Sequence, residues 1–133
     1  MAFLVAMPSR AVSAEPLGLL LYQLGHPDEF PETGARIIRW SPAVQRDILD
    51  VDSTVNRAIR PRLDEPGSDV WQSDAGAGDC EDFALAKRVR LIRMGYPPGA
   101  LRLTVVTRNK PRDHVVLTVV TSKRRYILDV PGR

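Results

Sequence analysis

Hydrophobic positions along the chain fall into runs separated by turn residues, and the spacing within each run predicts its element. Residues 17–24 (LGLLLYQL) are a short apolar segment, closed by the polar turn region His26-Pro27-Asp28-Glu29-Phe30-Pro31. Ser41-Pro42 opens a helix, with Ser as N-cap and Pro at the first helical position. Val44, Ile48, Val51, Val55 and Ile59 then recur at steps of four and three, one face of an α-helix that Arg60-Pro61 ends. Residues 62–78 are rich in turn formers and read as an ordered loop. A second helix is expected from Asp79, a good N-cap, with Asp82 at the capping-box position and Gly95 as the stop. Leu85, Val89, Ile92 and Tyr96 would form its buried stripe. Three runs rich in Val, Ile, Thr and Tyr follow, at 101–107, 114–121 and 124–130. Helices first, then an antiparallel meander, make the fold class α+β.

Length and composition narrow this further. The chain has 133 residues, 44% hydrophobic and 26% charged, the balance of one globular domain. Nine glycines, eleven prolines and one cysteine exclude collagen-like and disulfide-rich chains. No apolar run approaches the ~20 residues that span a bilayer. The first 14 residues, MAFLVAMPSRAVSA, carry a short apolar run and then Val12-Ser13-Ala14, the small residues signal peptidase requires. They read as the remnant of an export signal, with a single domain over 15–133 in an oxidising compartment.

Net charge is +3, split as −7 over residues 1–86 and +10 over 87–133. Lys87, Arg88, Arg90 and Arg93 fall on a predicted helix, Arg108, Lys110 and Arg112 in a loop, and Lys123, Arg124 and Arg125 at a turn. All are read as solvated. No aromatic interleaving or reader motif accompanies them, so no nucleic-acid partner is expected.

Chemistry concentrates on Cys80, His114 and Asp129. Cys80 is the first residue inside its helix, where unpaired N–H groups favour a thiolate. If Ser122-Lys123 is a two-residue hairpin loop, Thr121 pairs with Arg124 and Asp129 falls opposite Val116. Val116 and His114 share a sheet face, so Asp129 and His114 become diagonal neighbours. A one-residue change in the loop would separate them. Asp129 also interrupts an apolar run, Tyr126-Ile127-Leu128 and Val130, and a carboxylate there needs a partner. A Cys–His pair oriented by a carboxylate is the general activated-nucleophile arrangement. Against it stand Asp79, Glu81 and Asp82. A carboxylate ~6 Å from a thiolate costs roughly 2–3 kcal/mol before screening, while a helix terminus returns ~0.3–1 kcal/mol, or ~2 kcal/mol if partly buried. The cluster therefore needs a cation, either a protonated His114 or a calcium ion held by oxygen ligands.

Gly78-Asp79-Cys80-Glu81-Asp82-Phe83-Ala84 with Lys87, then Leu101-Arg102-Leu103-Thr104, His114-Val115-Val116-Leu117 and Ile127-Leu128-Asp129, resembles the bacterial transglutaminase-like cysteine proteinases, including the periplasmic LapG-type proteases. Val55-Asn56, Ile59, Pro61, Asp64 and Trp71 fit the same pattern upstream. The resemblance implies a papain/transglutaminase-like core, with the nucleophile helix packed on a small antiparallel sheet. It implies Cys80 as nucleophile, His114 as general base and acid, and Asp129 as orienting group. The Cys80 N–H would be one oxyanion donor, and Asn56 and Trp71 are candidates for the second. The resemblance also implies calcium held by Asp79 and Glu81. Family members cleave the periplasmic part of large surface adhesins, and some are held inactive by a membrane receptor that senses cyclic di-GMP. This chain departs from the pattern in having Val130 after the aspartate and Asp52 where Asn is common, and the family usually continues well past the aspartate. Two readings follow: an exported cysteine endopeptidase, or a shortened, catalytically weak relative acting as a calcium-dependent binding module.

Overall fold

The protein is described from a computed structural model, which covers residues 17–61, 77–78, 80–106 and 114–130. Among the described residues, three α-helices, α1 (Leu17–Gly25), α2 (Pro42–Ala58) and α3 (Cys80–Arg93), precede a three-stranded antiparallel sheet of β3 (Leu101–Val106), β4 (His114–Val120) and β5 (Arg125–Leu128), ordered β3-β4-β5. Between α2 and α3, two short strands, β1 (Arg60–Pro61) and β2 (Ala77–Gly78), pair in parallel. The arrangement is the α+β core expected from the sequence. The expected export segment, residues 62–76 of the expected loop, Asp79, Arg108, Lys110 and Arg112 lie outside the described residues. Among the described residues, no helix is long and apolar enough to cross a membrane.

Local chemistry sets the helix ends. Ser41 is extended and its Oγ accepts from the Val44 N–H at 3.1 Å, with Pro42 entering the first turn, so the predicted cap is present. Ile48, Val51, Val55 and Ile59 are buried and Val44 is half-buried, which matches the predicted face. At the far end of α3, Gly95 takes a left-handed φ of 101°. Its N–H donates to Ile92 O at 2.9 Å, and the Tyr96 N–H donates to Leu91 O at 3.1 Å, a Schellman closure.

The expected stripe on α3 is too narrow. Leu85 and Val89 are buried while Ile92 and Tyr96 are half-buried, but every residue from Cys80 to Val89, and Leu91, is buried. The helix lies between α2 and the central strand β4, so it has neighbours on several sides. Lys87 and Arg88, read as solvated, are instead 0% and 3% exposed. Arg88 becomes a clamp: its Nε donates to Leu101 O at 2.8 Å, its Nη2 to Glu29 O at 2.6 Å, and its guanidinium lies 4.2 Å from the Phe30 ring centre. Arg90, Arg93, Lys123, Arg124 and Arg125 are exposed as expected.

β4 and β5 pair through Leu117↔Leu128, Thr118↔Ile127, Val119↔Tyr126 and Val120↔Arg125. That is the register a two-residue Ser122-Lys123 loop predicts. Thr121 holds the turn: its N–H donates to Arg124 O at 3.0 Å, and its Oγ1 accepts from the N–H groups of Lys123 and Arg124 at 3.3 and 3.0 Å. Val115, Leu117 and Val119 join Leu101 and Leu128 in the core. His114, Val116, Thr118 and Val120 alternate onto the other face.

Replacing Gly95 by Ala places a Cβ in the left-handed region and is expected to cost about 1–2 kcal/mol. Gly25, whose φ is not positive and whose Cβ position is open, should change by less than ~0.5 kcal/mol on the same substitution. Urea midpoints of the two variants check this.

Candidate active site

The β4–β5 pairing ends at Leu117↔Leu128, and Asp129, the next residue, turns its carboxylate to His114. His114 Nε2 lies 2.5 Å from Asp129 Oδ1. An ionised carboxylate can only accept, so Nε2 carries the hydrogen and Nδ1 is the nitrogen left to exchange a proton. The same Oδ1 accepts from the Val130 N–H at 2.7 Å, which pins the carboxylate between the ring and its own backbone. His114 is buried, and the Asp129 side chain is about one-third exposed, at 35%.

Cys80 is the first residue of α3 and is buried, at 5% exposure. Its Sγ accepts from the Val115 N–H at 3.4 Å. Strand N–H groups point along the sheet, and the paired part of β5 stops at Leu128, opposite Leu117. The thiol rests at the start of β4. It lies against the residue next to His114. The helix start, the strand start and the residue after β5 converge on this corner.

The corner is rich in charge. Cys80 Sγ donates to Glu81 Oε2 at 3.4 Å, so the predicted acidic neighbour touches the sulfur directly. Glu81 and Asp82 are 7% and 4% exposed. Buried carboxylate oxygens are the hard donors that calcium prefers, and the donor chemistry of this helix start fits a divalent cation. Asp79, the other expected ligand, lies outside the described residues. Among the described residues, no three potential ligand side chains gather into a metal-sized cluster.

Sequence reasoning named Lys87 as part of the motif but read its side chain as solvated. Its Nζ lies 2.8 Å from Asp52 Oδ1 on α2 and donates to the Asp129 backbone carbonyl at 2.7 Å. Burial pulls its pKa below the ordinary lysine value, opposed by the hydrogen bond to Asp52 and by the charges of Asp52 and Asp129. The clue was the unbroken apolar run Phe83-Ala84-Leu85-Ala86 before it, which leaves that part of the helix little polar face. Asn56, four residues after Asp52, has a buried Oδ1 with no hydrogen-bond partner among the described residues. Trp71 lies outside them.

The family profile described as "Bacterial transglutaminase-like cysteine proteinase BTLCP" matches residues 11–131. The chain belongs to that family. Among solved structures, it is similar to LapG of Legionella pneumophila, with 30% identity over 68% of this chain and a TM-score of 0.56. A structure of the same Legionella protein after EGTA treatment gives the same identity, coverage of this chain and TM-score. The chain spans about half of those structures, 55% and 54% of their length. No curated protein matches the chain. The expected family and core are therefore borne out.

Proposed function

We propose that this chain carries the reacting groups of an exported, periplasmic cysteine endopeptidase that cleaves a protein substrate, with Cys80, His114 and Asp129 as its triad. The observation that carries the reading is the His114–Asp129 hydrogen bond at the strand end where the Cys80 sulfur rests on Val115 N–H. In this reading, His114 Nδ1 takes the thiol proton while Asp129 holds Nε2–H and stabilises the imidazolium. The thiolate attacks the scissile carbonyl carbon, and the resulting oxyanion accepts from the Cys80 backbone N–H at the helix start. The C–N bond then breaks, and the imidazolium gives its proton to the leaving amine. Water, deprotonated by His114, releases the thioester and restores the thiol. Asn56 is the candidate second oxyanion donor on α2.

Asp79 and Glu81 would hold calcium. A bound cation supplies positive charge that offsets the carboxylates flanking the thiol, Glu81 above all, since it lies 3.4 Å from the sulfur. That one Legionella LapG structure is of EGTA-treated protein, and that EGTA chelates calcium, supports looking for this metal. A large surface adhesin as substrate, and a membrane receptor as regulator, are the partners the family suggests.

An ordinary thiol, pKa about 8.5, is only a few per cent thiolate at pH 7. Iodoacetamide should alkylate Cys80 about tenfold faster than a free-cysteine standard at pH 7, with further acceleration by calcium. His114→Gln should bring the rate to that of the standard. Wild-type alkylation at the ordinary rate would favour the calcium-dependent binding module instead. For the metal, calorimetric titration should give a calcium heat that Glu81→Gln abolishes or weakens at least tenfold. A calcium heat unchanged in that variant would remove Glu81 as a ligand.

A further inference from the structure

Asp129 does its proposed work from an unsupported place. It lies one residue beyond Leu128, where the β4–β5 pairing ends. Sheet hydrogen bonding therefore does not fix it. Its side chain is committed to His114 and to the Val130 N–H. Its carbonyl is held by Lys87, whose ammonium is entirely buried and donates to it at 2.7 Å. Burying a lysine is costly unless its charge is balanced, and Asp52 on α2 supplies the balance at 2.8 Å. Lys87 is also seven residues after Cys80. Seven residues are close to two helical turns, so the two side chains leave the same side of α3, roughly 10 Å apart along its axis.

We propose that Lys87, charge-balanced by Asp52, is a positioning residue that anchors Asp129 to the helix bearing the nucleophile. This rests on the triad reading above and extends it. One rigid helix then sets both ends of the triad: Cys80 directly at its first residue, and Asp129 through Lys87 two turns later. His114 is oriented from β4 between them. Asp52 and α2 reach the site only through the lysine. The charges that act on this anchor are those of Asp52 on α2 and Asp129 itself.

The test reads the anchor without relying on turnover. In 15N-labelled protein, the His114 imidazole N–H bonded to Asp129 should give a far-downfield proton resonance, assigned by its loss in His114→Gln. Lys87→Met should abolish or exchange-broaden that resonance and slow Cys80 alkylation by iodoacetamide at least tenfold. Because Lys87→Met leaves Asp52 without its counter-ion, the double variant Asp52→Asn/Lys87→Met is made alongside it. The double variant should recover the wild-type melting temperature while the resonance stays lost and alkylation stays slow. A resonance retained in either variant would overturn the proposal. So would a resonance that returns together with stability in the double variant, since the lysine would then be purely structural. Loss of the folded far-UV spectrum in both variants would equally reject a positioning role. If wild-type Cys80 alkylates at the ordinary rate while the resonance still responds to Lys87, the triad reading fails but the anchor stands.

Discussion

The structure depends on one constraint, the register of the β4–β5 hairpin. Side chains on a strand alternate between faces, so a slip of a single residue would carry Asp129 to the side opposite His114. The turn that prevents the slip is built from Thr121. Its hydroxyl gathers the N–H groups of Lys123 and Arg124 and donates back to Arg124 O at 2.6 Å. Ser122 ties the same turn to the chain before α2: its N–H donates to Ile38 O at 2.8 Å, and its Oγ accepts from the Trp40 N–H at 2.9 Å. Trp40 Nε1 in turn donates to the Tyr126 hydroxyl, which donates to Gln45 Oε1 on α2. Turn chemistry far from the thiol is what aims the carboxylate at the ring.

That register was legible from sequence because it follows from two local facts: the length of the loop and the period of a strand. The Ser41-Pro42 cap and the Gly95 stop were legible for the same reason, each being decided within one turn of helix. The burial of α3 was not. Periodicity reports one apolar face, and a helix enclosed by both α2 and β4 hides polar residues that periodicity assigns to solvent. Lys87 and Arg88 were misplaced on that account, and with them the link from Asp52 to Asp129. Asp129 announced its need for a partner by breaking an apolar run. The sequence pattern pointed to His114 for its side chain but had no way to assign a donor to its carbonyl.

Charge explains the rest of the corner. The sulfur sits between a backbone donor, the Val115 N–H, and a carboxylate acceptor, Glu81 Oε2, each at 3.4 Å. The first favours ionisation of the thiol, and the second opposes it. At this buried position the helix start contributes up to ~2 kcal/mol in favour, comparable to what a nearby carboxylate takes away. Asp129 holds the His114 ring beside this corner. A cation on the acidic side would favour the thiolate.

Catalysis by this triad requires the sulfur and the imidazole to share one pocket, and a two-headed alkylating reagent measures that directly. With 1,3-dibromoacetone, Cys80 displaces the first bromide, and a ring nitrogen within reach displaces the second, leaving a three-carbon bridge. Peptide mapping by mass spectrometry should recover the Cys80 and His114 tryptic peptides joined by that bridge. Cys80 carrying the reagent with its second bromide intact or hydrolysed, or bridged to any other side chain, would contradict it.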